Sequence, residues 1–231
     1  MLTVTNLRKS FYHRPVLNDL NLQIAAGEII ALMGKNGVGK STLLRILGRI
    51  STANSGEVKF AGKSLLKGDS ENRRGILYLG HAPGMYPPLS AKENLGLFSR
   101  LYKSPTTEPG IEEVLEIVGL TIQADDPIRI YSQGMLQRLK LALAMLIDWK
   151  LLLFDEPFTG LDEQGRELVE KILRQWQSTN RTILLVTHDF EWSWQFCHRL
   201  VVINRGTIQY NFNIAETDIN TARDQFRHLL V

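Results

Sequence analysis

The chain has 231 residues, 44% hydrophobic and 22% charged, with a formal net charge of +3. This is ordinary globular usage, enough for one large domain or a domain carrying an insert, and it excludes disordered and collagen-like classes. The single cysteine, Cys197, excludes an intrachain disulfide, points to a reducing cytosol and reads as a small buried apolar residue; the scattered basic residues, with no run of five, give no reason to expect nucleic acid as a partner.

In chain order, residues 2 to 24 alternate apolar and polar around turn signals at His13–Pro15 and predict short antiparallel strands. This polar, alternating start reads as strand rather than as a secretory leader. Glu28 to Met33 is a short apolar run, followed by Gly34-Lys35-Asn36-Gly37-Val38-Gly39-Lys40-Ser41, a full match to G-x-x-x-x-G-K-[ST]. A helix is expected over Thr42 to Leu47. Glycines let the backbone wrap phosphate with its N–H groups inward, and the helix N-terminus adds partial positive charge. Residues Gly34 to Thr42 are therefore the nucleotide-binding candidates, with Lys40 on the β- and γ-phosphates and the Ser41 hydroxyl on Mg²⁺.

Gly75 to Leu79 is a second apolar run, ending at Gly80-His81. Ser90 and Glu93 form a capping-box pattern. Ile111 to Val118 predicts an amphipathic helix stopped at Gly119, and Ser132 to Ile147 a long, largely buried one. Residues 90–147 thus read as a helical insert in a core made of 1–89 and 148–210, with a tail over 211–231 that holds a small helix from Ile219 to Leu230. Leu151 to Phe154 ends at Asp155-Glu156, and Thr182 to Val186 at Thr187-His188-Asp189. The most apolar stretch, Leu139 to Phe154, is too short to cross a membrane and is broken by Lys140, Asp148 and Lys150, so a spanning part would come from another chain.

Short apolar runs separated by helical stretches predict an α/β fold with parallel strands buried on both faces. Ligands of such sheets bind beyond the carboxyl ends of the strands, where each run delivers polar or titratable residues. Asp155 suits Mg²⁺ through the ion's waters, and Glu156, one residue further out, suits a general base or water-positioner.

Tyr131-Ser132-Gln133-Gly134-Met135-Leu136-Gln137-Arg138 resembles the signature L-S-G-G-Q of ATP-binding-cassette (ABC) ATPases. Leu151 to Pro157 resembles the Walker B strand with its catalytic Glu, Gly160-Leu161-Asp162 the D-loop, and His188 the switch histidine. On this order and spacing, from about Leu2 to Tyr210, the chain is identified as a member of the family. The resemblance implies a P-loop cassette with a mostly parallel sheet, an antiparallel β piece and a helical subdomain. It implies ATP and Mg²⁺ as cofactors, and a head-to-tail homodimer with ATP sandwiched between the subunits. Ser132 and Gly134 would meet the γ-phosphate of the opposite site, Asp162 would line the interface, and His188 would hold the attacking water. Phe11, or Tyr12 beside it, would stack on adenine. A multi-span permease would hold the protein on the cytoplasmic face of the inner or cell membrane, docking near Met85, Tyr86, Leu97, Phe98, Leu101 and Tyr102.

The sequence departs from the pattern twice. His81 stands where the family usually has a Gln that touches Mg²⁺ and the attacking water. Gln133 replaces the first signature glycine, which requires a negative φ. Gly80 to Gly84 followed by Leu89 to Leu95 is similar to the haem-exporter ATPase of cytochrome c maturation, where a histidine also takes the Gln position. Other lipid, drug or ion exporters share much of this pattern. Phe190, Trp192, Trp194 and Phe196 pair at a spacing of four and read as packing. A soluble cassette acting on ribosomes or DNA would usually carry a second cassette, a coiled coil or a basic arm. A small-molecule kinase fits neither the signature nor the Asp155-Glu156 pair, and an inactive cassette does not fit intact Lys40, Glu156 and His188.

Overall fold

The computed structural model describes residues 1–67, 70–82, 84–104 and 107–230. In chain order the elements are β1 (Leu2–Phe11), β2 (Arg14–Ile24), β3 (Ile29–Met33), α1 (Lys40–Leu47), β4 (Ser55–Phe60), β5 (Lys63–Ser64), β6 (Ile76–Leu79), α2 (Ala91–Leu101), α3 (Glu108–Ile117), α4 (Gln133–Leu146), β7 (Leu151–Asp155), α5 (Glu163–Ser178), β8 (Thr182–Val186), α6 (Phe190–Phe196), β9 (Arg199–Asn204), β10 (Thr207–Asn213) and α7 (Ile219–Leu230).

They build two sheets. The antiparallel sheet has strand order β2-β1-β4-β5 and the larger one β10-β9-β3-β8-β7-β6. In the larger sheet β9, β3, β8, β7 and β6 run parallel, and β10 folds back antiparallel on β9. The β1–β2 hairpin turns at Tyr12 and His13, whose positive φ values of 46° and 66° are those of a type I′ turn, the kind that matches the right-handed twist of the flanking strands.

Strands β3, β7 and β8 are buried at every position. Their alternating side chains divide the interior into two cores. Ile29, Ala31, Leu152, Phe154, Ile183 and Leu185 face the core shared with α2, α3, α4 and α5. Ile30, Leu32, Leu151, Leu153, Leu184 and Val186 face the core shared with α1 and the antiparallel sheet. A buried Leu or Ile side chain contributes about 2 kcal/mol, so apolar occupation of both faces holds the sheet between two layers.

Helix starts are tightly specified. Ser90 caps α2 with a complete capping box, while Ser132, Asp162 and Asp189 cap α4, α5 and α6. A cap of this kind is worth about 1 kcal/mol. Two helix spans differ from expectation: α1 begins at Lys40 rather than Thr42, and α3 begins at Glu108, three residues before Ile111, because Thr107 supplies a cap. Strands β4, β5, β9 and β10 have no counterpart among the runs read from the sequence. β4 buries only Val58 and Phe60, too few for a periodic signal. β9 does carry one, the buried run Leu200–Ile203 before the Arg205-Gly206 turn. The expected aromatic pairs are in place, with ring centroids 5.5 Å apart for Phe190–Trp194 and 4.7 Å for Trp192–Phe196. Cys197 is buried, which pushes its thiol pKa far up. Among the described residues no helix is long and apolar enough to cross a membrane.

Candidate functional site

The loop from β3 to α1 turns through left-handed glycines, with φ of 142° at Gly34, 81° at Gly37 and 110° at Gly39. Two of them are also places of close approach. A Cβ on Gly34 would lie 2.3 Å from the Ile203 carbonyl oxygen, and one on Gly39 would lie 2.8 Å from Leu17 Cδ2. The loop is therefore pressed between β9 and β2, and no other residue fits at either point.

Lys40 is buried at the centre of this loop. Its Nζ donates to the carbonyls of Gly34 at 2.7 Å and Lys35 at 2.9 Å. Burial lowers its pKa, and Glu156 and Asp155 oppose that shift. The helix that Lys40 opens has no side-chain cap and no acidic residue in its first turn, unlike α2, whose cap and Glu93 occupy these places. The first N–H groups of α1 thus remain donors for an anion.

Asp155, the last residue of β7, is 2% exposed. Burial raises its carboxyl pKa, the Ser41 hydroxyl bonded to it pulls the other way, the neighbouring Glu156 carboxylate raises it again, and His81 and Arg45 lower it. Its Oδ2 is buried and accepts no hydrogen bond. An unpartnered carboxylate oxygen costs about 1–3 kcal/mol or more, and a hard divalent cation between Asp155 and Ser41 would satisfy it. These oxygen donors fit Mg²⁺.

Glu156 leaves the strand with φ of 54°, a left-handed conformation costing a glutamate about 1 kcal/mol or more. Hydrogen bonds hold it there. Its N–H donates to the Val186 carbonyl at 3.0 Å, and Oε2 accepts from the Thr159 hydroxyl at 3.0 Å. The other oxygen, Oε1, lies 3.5 Å from His188 Nε2. The chain turn presents this carboxylate into a small cleft that Phe158, Arg166, His188 and Asp189 also line. Arg166 was not expected here. It pairs with Asp189 at 2.5 Å and lies 4.8 Å over the Phe158 ring. Its position four residues after Asp162 puts it one turn into α5, the only local cue.

His81 follows β6 and is exposed at the same sheet edge. Phe11 is 45% exposed and Tyr12 98% exposed, with Lys9 Nζ 4.8 Å from the Phe11 ring. Their hairpin meets the phosphate loop, since Val16 and Leu17 of β2 abut Gly39.

A second cluster forms around the start of α4. Ser132 Oγ accepts the Met135 N–H at 3.2 Å. A Cβ on Gly134 would stand 3.0 Å from the Gly160 carbonyl oxygen, and one on Gly160 would stand 2.8 Å from Gln133 Cγ. Gln133 is helical without a left-handed φ, and its side chain lies over Gly160. Asp162 accepts the Gly165 N–H at 2.8 Å and sits 3.5 Å from Arg138 Nη2. The contacts of Ser132, Gly134 and Asp162 thus lie within their own helix starts and between α4 and the Gly160–Asp162 turn. Tyr86, Leu101 and Tyr102 are exposed, Leu97 and Phe98 half-buried, and Met85 buried.

The sequence matches the ABC transporter family over residues 17–159. It is 36% identical over 210 residues to the Nod factor export ATP-binding protein I of Rhizobium meliloti, covering 89% of this chain and 62% of that one. It is 33% identical to the sulfate/thiosulfate import ATP-binding protein CysA of Pseudomonas aeruginosa, covering 99% and 71%. The fold superposes with a TM-score of 0.84 and 25% identity on a dimeric post-hydrolysis state of the ATP-binding cassette MJ0796 bound to ADP and Pi, covering 93% of this chain and 99% of that one.

Proposed function

Since the chain belongs to the ABC transporter family, as an ATP-binding, ATP-hydrolysing subunit, we propose that it hydrolyses Mg²⁺-bound ATP in a head-to-tail homodimer and so drives transport through a separate membrane subunit on the cytoplasmic face. The observation that carries this reading is the buried, unpartnered Oδ2 of Asp155 beside Ser41, one residue before a carboxylate held against a histidine.

Residues Gly34 to Thr42 cradle the phosphates, with Lys40 exchanging its two loop carbonyls for phosphate oxygens. Ser41 and Asp155 hold Mg²⁺, which neutralises charge on the phosphates when bound. Glu156 accepts the proton of the attacking water, and Thr159 and His188 hold its two oxygens in place. His188 is half exposed and free to turn toward the γ-phosphate. Phe11 or Tyr12 stacks on adenine. Ser132 and Gly134, at a helix N-terminus, complete the opposite site, with Asp162 at the interface. Residues 90–147 act as the helical subdomain, and the exposed Tyr86, Leu101 and Tyr102 meet the membrane subunit.

The relatives named for export and for import share most of this chain's length, so the cargo and direction belong to the membrane partner. A narrower reading, the haem-exporter type of cytochrome c maturation, is favoured by His81 at the edge shared with Asp155.

The test is Glu156→Gln. Turnover falls by about 1,000-fold while ATP binding persists and an ATP-bound dimer accumulates, read by ATPase assay and size-exclusion chromatography. A fully active variant sinks the base assignment. The same variant, captured from solubilised native membranes in ATP, brings down a multi-span protein, with a haem spectrum if the narrower reading holds.

A further inference from the structure

Helix α4 carries two polar side chains into the interior. Gln137 is 4% and Lys140 3% exposed, one turn apart among the buried Leu139, Leu141, Ala142, Leu143 and Ala144. Lys140 Nζ donates to the Gly80 carbonyl at 2.7 Å, the His81 carbonyl at 3.0 Å and Gln137 Oε1 at 3.1 Å. All three ammonium protons are thereby used. Gln137 Nε2 in turn donates to the Pro157 carbonyl at 2.8 Å and reaches that of Glu156 at 3.4 Å.

This pair ties one helix to two chain segments at once, the exit of β6 at Gly80–His81 and the exit of β7 at Glu156–Pro157. Burying an ammonium is costly, and burial here pushes the Lys140 pKa down to about 8, with Asp155 opposing. Packing alone would be served by an apolar residue, as at the neighbouring inward positions. The acceptors explain the lysine: two carbonyls left over at the end of a strand, one in the peptide before the His81 Cα and one in the peptide after it.

We propose that Lys140 is a positioning residue for ATP hydrolysis, holding the His81 backbone in fixed relation to Glu156 through Gln137. The inference rests on the function proposed above. Because the pair sits on α4, it also joins the placement of His81 and Glu156 to the helix that opens with Ser132 and Gly134.

The experiment compares the whole wild-type chain with Lys140→Met, Lys140→Gln, His81→Ala and the Lys140→Met/His81→Ala double variant. Steady-state ATPase, equilibrium binding of ATP and thermal melting are measured for each, with Glu156→Gln as the blank. Lys140→Met is expected to lower kcat by about tenfold or more, since small misplacements of reacting groups are costly, while KM for ATP stays within about twofold. Lys140→Gln, which retains two donors, recovers part of the rate. In the His81→Ala background the same Lys140→Met change costs less than about twofold, because the imidazole whose backbone it positions is gone. An unchanged kcat, or an equal fractional loss in both backgrounds, overturns the positioning role. If Lys140→Met does not fold, Lys140→Gln alone and with His81→Ala decides by the same criterion. A wild type without Glu156-dependent turnover overturns the function proposed above together with this inference, and shows it before any Lys140 variant is scored.

Discussion

The phosphate loop and the middle of α4 each bury a lysine against backbone carbonyls, and they do so differently. Lys40 bonds carbonyls five and six residues away in its own loop, whereas Lys140 bonds carbonyls 59 and 60 residues away on another strand exit. Desolvation lowers both pKa values. Local acceptors within a glycine-rich loop are exchangeable, so Lys40 can give them up to phosphate without moving the sheet. Distant acceptors on a strand end are part of the framework, so Lys140 cannot release them without loosening β6 from α4. One buried cation is built to be handed to a ligand and the other to hold two elements together.

Substitution can break this contrast. The largest effect is expected for Lys40→Met, which weakens ATP binding by about 100-fold, from the loss of charged hydrogen bonds worth about 3 kcal/mol, with the apo fold intact. Isothermal titration with ATP and Mg²⁺ checks it, and an unfolded variant would mean that Lys40 is framework too.

The contrast sharpens through pH. A lysine with folded pKa near 8 and an unfolded value near 10.5 binds fewer protons folded than unfolded between those limits. Stability from this group therefore rises as pH rises from about 8 to about 10.5, by up to about 3 kcal/mol in all. Wild type should gain on Lys140→Met across that window in denaturant melts. A constant difference would show that burial does not depress this lysine.

The smallest effect is expected for Ser132→Ala. It removes the α4 cap, costs about 1 kcal/mol and leaves the bonds of Lys140, two turns further along, in place. Chemical denaturation reads the loss. A cost of several kcal/mol would mean that the start of α4 is also part of the framework.

The phosphate loop was readable residue by residue because its chemistry is made within eight consecutive positions. The strand exits were readable too: Asp155 and Glu156 after the apolar run Leu151 to Phe154, and Thr187-His188-Asp189 after the run Thr182 to Val186. β4 was not, because a strand with two buried residues leaves no period to read. The contact of Gln133 with Gly160 was foreseen only as a condition on φ, since the partner glycine lies 27 positions on.

Lys140 shows the boundary most plainly. In the sequence it reads only as a charge interrupting an apolar stretch. Motif, cap and apolar run lie in the order of residues, because backbone N–H groups, helix starts and buried strands are specified by neighbours within about two turns. Whether a buried charge is tolerated depends on which acceptors the fold brings to it. Here they are Gly80 and His81, just past β6, and only the crossing of α4 at that strand's exit supplies them.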